Sequence, residues 1–157
     1  MELRAGKARL WLVFFGSGHL APWWAWVLRR GFRHVCAASW FADQERWVFV
    51  NPCRTGTVIE VMRSDEFGPR FSQLMTDSAA VLRMPARAGR RATPRSFHCV
   101  GAMKALLGIR SRALLPYGLY VDLRRNHGAE IVCGTEWSQD GEHAEAAGRG
   151  PGSEAPA

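Results

Sequence analysis

Between Phe32 and Phe41 the chain alternates, placing Phe32, His34, Cys36, Ala38 and Trp40 on one side of an extended backbone. From Arg46 to Asn51 it alternates again, with Trp47, Phe49 and Asn51 as the matching set. The four residues between, Ala42-Asp43-Gln44-Glu45, make a polar turn, so the two stretches read as an antiparallel hairpin. Pairing Phe41 with Arg46 sets its register: Trp40 faces Trp47, Ala38 faces Phe49, Cys36 faces Asn51 and His34 faces Cys53. His34 and Asn51 then become diagonal neighbours on one face, about 7–8 Å apart at the backbone.

The same reading extends along the chain. Trp11 to Phe15 is a first strand closed by Gly16-Ser17-Gly18, and Thr57 to Met62 and Ala79 to Met84 are further strands after the hairpin, with Phe67 to Met75 a looser connection. Trp23, Trp24 and Trp26 fall on a short helix or loop before Gly31, and Arg83 to Arg95 reads as a basic surface loop. A helix is expected from Phe97 to Leu107, N-capped by Ser96 after Pro94 and stopped by Gly108. At 100° per residue its Cys99, Val100, Met103, Leu106 and Leu107 fall in one arc of about 120°. Pro116 starts a second helix through Arg125, and Ala129 to Cys133 is a last strand. The expected fold is α+β: an antiparallel meander packed against the helix that carries Cys99. Residues 1–133 form one domain, and the Gly-, Ala-, Glu- and Ser-rich stretch 134–157 reads as a disordered acidic tail.

Three residues in this scheme carry chemistry. A thiol near a helix start meets unpaired N–H groups and the positive dipole end, which favour thiolate, and Cys99 occupies that position. His34 is a base on a strand, and Asn51 lies where its amide would fix the imidazole tautomer and leave the other ring nitrogen for the thiol. Taken singly, each has a structural alternative: a small buried thiol, a satisfied core histidine, a strand-ending residue before Pro52.

Gly31-Phe32-Arg33-His34-Val35, Trp47-Val48-Phe49-Val50-Asn51-Pro52, Phe97-His98-Cys99-Val100 leading through Ala105 to Gly108, and Leu115-Pro116-Tyr117-Gly118-Leu119-Tyr120 together resemble the circularly permuted, NlpC-type branch of the papain-like thiol hydrolases. That branch includes lecithin retinol acyltransferase-like proteins and bacterial relatives with the histidine ahead of the cysteine. The resemblance spans residues 10–126 and implies a permuted papain-like fold, with Cys99 as nucleophile, His34 as base and Asn51 as the residue that orients His34. It implies a hydrolase or acyltransferase acting on an amide or ester carbonyl through a thioacyl intermediate. A peptide substrate, in particular a cell-wall crosslink, comes first and an acyl lipid second. The polar residue that many relatives carry after the cysteine is Val100 here. The layout is also similar to short uncharacterised proteins of phages and prophages, which keeps open a catalytically silent structural or binding role.

Composition adds limits. At 157 residues, 47% hydrophobic, the chain suits one domain with a real core. Cys36, Cys53, Cys99 and Cys133 show no C-x-x-C spacing, so no cofactor or metal is expected and the usage fits a reducing cytoplasm, with virion association as the alternative location. A zinc site from Cys36, Cys53, Cys99 and His34 is the minor alternative. No membrane span is expected, because Gly16 to His19 and Pro22 break the apolar stretch from Leu10 to Leu28. Arg4, Lys7 and Arg9 before a six-residue apolar run make a weak signal peptide. The chain is +7 overall, but the tail from Gly134 has one arginine against five acidic residues, net −4, leaving +11 on the body. Nucleic-acid binding is therefore a second function class, disfavoured because no helix-turn-helix, zinc-finger or stacking-platform pattern is present. The oligomeric state is not specified by the sequence.

Overall fold

The computed structural model describes residues 10–17, 28–53, 55–85 and 98–134. The expected tail after Gly134, which itself ends the last strand, the Trp23–Trp26 segment, the N-terminal basic residues, most of the arginine loop and the Ser96 cap lie outside them. Among the described residues six strands form one antiparallel sheet: β1 (Leu10–Gly16), β2 (His34–Phe41), β3 (Arg46–Cys53), β4 (Gly56–Met62), β5 (Ser78–Pro85) and β6 (Glu130–Gly134). Three helices accompany them: α1 (Ser64–Asp77), α2 (Cys99–Leu107) and α3 (Pro116–Asn126). The strand order is β4-β3-β2-β1-β5-β6. The first four strands are thus a meander, and α1 carries the chain back so that β5 joins the free side of β1. The fold is α+β, as the alternation implied.

The hairpin adopts the expected register, with Phe41 opposite Arg46, Trp40 opposite Trp47 and Ala38 opposite Phe49. A single 3-10 turn, Ala42–Gln44, closes it, with Glu45 in the left-handed region at φ 50°. The two tryptophan rings touch at 5.5 Å between centroids. Alternation then sorts the sheet into two faces. Trp11, Val13, Phe15, Val35, Ala37, Val50, Ala80, Leu82 and Met84 pack against α2 and α3 through Val100, Met103, Leu107, Leu119, Tyr120 and Leu123. Phe14, Cys36, Ala38, Phe49 and Val81 pack against α1 through Phe67, Phe71, Leu74 and Met75. Among them, each fully buried Val, Leu, Phe or Met side chain contributes about 1.5–3 kcal/mol relative to exposure.

The segment Phe67–Met75, expected as a looser connection, is instead the middle of α1. Its signal is the i, i+4, i+7, i+8 spacing of Phe67, Phe71, Leu74 and Met75, which Gly68 and Pro69 obscure. Pro69 stands inside the helix and forfeits one backbone bond. The start compensates: Arg63 donates its N–H to Glu66 Oε2 at 2.8 Å, and Asp65 and Glu66 sit at the positive end of the helix dipole. Phe67 is the anchor, buried in a stack on Trp47 at 4.3 Å and 17°.

Two turns set the position of the residues of interest. Gly31 has φ 80°, and a Cβ there would lie 2.7 Å from Ala79 Cβ, so only glycine fits where the chain turns into β2. Phe32 N–H donates to the Arg29 carbonyl and Arg33 N–H to the Gly16 carbonyl, each at 2.9 Å. The second correction concerns α2. It begins at Cys99, with His98 extended as the N-cap at φ −117° and ψ 146°, so Cys99 is the first helical residue rather than about the third. The helix ends as expected at Gly108, φ 63°. Among the described residues no helix is long and apolar enough to cross a membrane.

Candidate active site

The site lies where the sheet opens. Pairing between β2 and β3 runs from Phe41–Arg46 only as far as Ala37–Val50, while β3 stays paired with β4 down to Cys53–Gly56. Beyond Ala37 and Val50 the first residues of β2 and the last of β3 are therefore free of each other as backbones. A side-chain bond spans them: His34 Nε2 is 2.7 Å from Asn51 Oδ1. The amide oxygen only accepts, so Nε2–H donates, and in the neutral ring the lone pair is then on Nδ1. That is the tautomer a base needs.

Cys99 reaches the same end of β2 from the α2 side. The backbone N–H groups of Val35, Val100 and Cys99 itself favour the thiolate form of its sulfur. The first intrahelical bond is Ala102 N–H to the His98 carbonyl, so the N–H groups of Cys99, Val100 and Gly101 precede the helical ladder and are available to an anion. Burial nevertheless dominates and raises the thiol above its ordinary range, with the Val35 contact the largest opposing influence. A helix start was expected to favour thiolate; here desolvation outweighs the dipole, and the resting sulfur is a protonated thiol.

The structure thus joins His34 to Asn51, and Cys99 to the residue after His34. Among the described residues no hydrogen bond links the Cys99 sulfur to the imidazole. By alternation His34 and Asn51 belong to the face that α1 covers, as does Cys36, whereas Val35 and Cys99 belong to the α2 face. His34, Asn51 and Cys99 are all partly exposed, as a site open to a ligand requires.

The other thiols have different surroundings. Cys36 is buried and its thiol is pushed up to about 12 by desolvation. Cys53 is exposed, its sulfur 3.6 Å from the Asn51 carbonyl, and Cys133 is exposed on β6, an outer strand. Among the described residues no group of three or more His, Cys, Asp or Glu side chains is arranged to hold a metal ion, so the zinc alternative has no ligand set there. The Val35 N–H was missed in the sequence. Its signal was Pro52, which lacks the N–H that would continue the β2–β3 ladder. No family model, curated protein or solved structure matches the chain.

Proposed function

We propose that this protein is a cysteine hydrolase of the amidase or cell-wall endopeptidase type. Cys99 is the nucleophile, His34 the general base and then the general acid, and Asn51 the residue that orients His34. The observation that supports this most directly is the 2.7 Å His34–Asn51 hydrogen bond, which selects the neutral tautomer whose lone pair is on Nδ1. Because burial keeps the thiol protonated, the chemistry is base-assisted rather than that of a preformed ion pair. Sγ attacks the carbonyl carbon as its proton passes to His34 Nδ1. The tetrahedral intermediate expels the amine or alcohol, which takes that proton. Water, deprotonated by Nδ1, then cleaves the thioacyl bond and regenerates the thiol. Helix-start N–H groups stabilise the oxyanion. A body of charge +11 suits an acidic substrate, and a wall peptide is the class preferred over an acyl lipid.

The test is acylation by p-nitrophenyl acetate, followed by nitrophenolate release and by mass of the labelled peptide. A single acetyl group on the Cys99 peptide, lost in Cys99→Ala and slowed by about 10²–10⁴ in His34→Ala, is the expected result. Acetylation of Cys53 or Cys133 at the same rate as Cys99 would remove the catalytic reading. The rival, a silent binding or structural protein, draws on the raised thiol alone, since a buried protonated sulfur is inert unless a base reaches it.

A further inference from the structure

We infer that Arg70 and the side-chain amide of Asn51 form a binding site for a single carboxylate on the α1 face of the sheet, beside His34. Two matched steps, one along a helix and one along a strand, bring them together. Phe67 stacks on Trp47 at 4.3 Å. Three residues further along α1, and so on the same side of the helix, the Arg70 guanidinium lies over the Phe49 ring, 5.4 Å from its centroid. Phe49 is two residues beyond Trp47 on β3, and the next residue of that face is Asn51. A two-residue step along a strand is about 6.5–7 Å. The cation therefore stands one step from the amide that holds His34.

The protein leaves both groups with donors to give. Arg70 Nε is buried without a hydrogen-bond partner, and among the described residues the guanidinium forms no ion pair. The acidic side chains closest by position are Glu66 and Glu60. Glu66, one turn back on α1, accepts the Arg63 N–H at 2.8 Å and lies 3.7 Å from the Arg63 guanidinium. Glu60 stands opposite Phe49 on β4 and shares the α1 face, but forms no ion pair with Arg70. Asn51 Oδ1 is committed to His34, so the amide offers only its NH2 group, which has no acceptor among the described residues. Arg70 and Asn51 are both partly exposed.

The donors define the ligand. A planar guanidinium takes a carboxylate through two parallel N–H···O bonds, the Phe49 face steadies its plane, and the Asn51 NH2 adds a neutral donor. One cation with Glu60 nearby suits a singly charged carboxylate better than a phosphate dianion. In the reaction proposed above, this site would anchor the acidic group of a peptide on the side of β3 where His34 lies. Binding itself stands on these donors and needs no turnover.

The experiment titrates isotope-labelled protein at neutral pH with N-acetylglycine, which carries one carboxylate, and with its neutral amide, N-acetylglycinamide. Arg70 Nε–H and the Asn51 side-chain NH2 are followed by NMR. Both signals are expected to shift saturably with the carboxylate and to stay in place with the amide. Arg70→Lys keeps the charge without the fork and should weaken binding at least about tenfold, read at Asn51; Glu60→Gln should strengthen it. An equal response to acid and amide overturns the inference, as does undiminished binding in Arg70→Lys. Binding seen only in Glu60→Gln also overturns it, since Arg70 and Glu60 would then be paired in the native protein. Tighter binding of inorganic phosphate than of N-acetylglycine would remove the carboxylate assignment. Should Arg70→Lys open Cys36 to iodoacetamide, α1 has been displaced and the acid–amide comparison in the wild type decides. Saturable carboxylate binding without acetyl transfer keeps this site and removes the hydrolase. Acetyl transfer without a carboxylate response does the reverse.

Discussion

Replacing Phe67 by alanine removes the one fully buried side chain of α1 and tests whether that helix is held to the sheet mainly by this contact. Phe67 is 2% exposed, stacks on Trp47 and lies 5.8 Å from Phe71 between ring centroids. Truncation of such a phenylalanine costs about 3–5 kcal/mol, from lost transfer energy and the cavity left behind. Against a typical domain stability of about 5–15 kcal/mol, that is a large share. The rest of α1 cannot offset it: Phe71, Leu74 and Met75 are only partly buried, and Pro69 already weakens the backbone ladder. Urea unfolding followed by tryptophan fluorescence measures the loss, because Trp47 reports the contact itself. Phe67→Leu separates the two components: it keeps most of the apolar volume, removes the stacked ring and should cost about 0.5–1.5 kcal/mol for the lost ring pairing. Native-state alkylation of Cys36 gives a second readout, since α1 covers the face on which it lies. A Phe67→Ala protein that loses less than about 1.5 kcal/mol, with Cys36 still protected, would show that α1 does not depend on this anchor.

Other outcomes follow from the same contacts. Asn51→Ala should slow acetyl transfer less than His34→Ala, because it frees the ring to turn without removing the base; equal losses in the nitrophenyl ester assay would contradict that division of roles. Cys36 has a folded pKa of about 12 set by burial, so its stabilising preference for the neutral thiol is complete below the unfolded value of about 8.5 and is lost as pH rises from there through the folded value. Urea midpoints of the wild type should therefore fall over that alkaline window, and Cys36→Ala should flatten the fall. Asp122 is held below the usual carboxylate range by hydrogen bonds from Ser111 and Asn126, with His127 a smaller influence. Its contribution is present above the unfolded value and lost as pH falls through the lower folded one, so Asp122→Asn should lessen acid sensitivity, which acid unfolding followed by circular dichroism would show. Gly31→Ala should destabilise markedly, since its Cβ would stand 2.7 Å from that of Ala79; an unchanged thermal midpoint would mean that the turn adjusts freely.

The hairpin was legible because its information is local. Alternation with a period of two names the faces, a four-residue turn sets the register, and together they place His34 diagonal to Asn51 before any tertiary contact is known. The four other strands, α3 and the end of α2 at Gly108 were visible for the same reason. The helix α1 was obscured where two signals conflict, with Gly68 and Pro69 arguing for a break and the apolar spacing for a helix. Burial of Phe67 against Trp47 is a long-range term, and it outweighs the local penalty of the proline.

What only the tertiary structure decided was what meets what across separate segments. The chain alone could name Cys99 as a helix-start thiol, but whether such a sulfur ionises depends on a balance between helix N–H groups and burial that local sequence does not contain. In the folded protein burial prevails. The joining of β5 to β1 and the separation of the two faces by α1 and by α2 with α3 likewise arise from packing between distant residues. Local pattern determined the strands and the His34–Asn51 pair because backbone geometry repeats along the chain. The surroundings of the thiol came only with the fold, because desolvation is a property of everything that closes around a group.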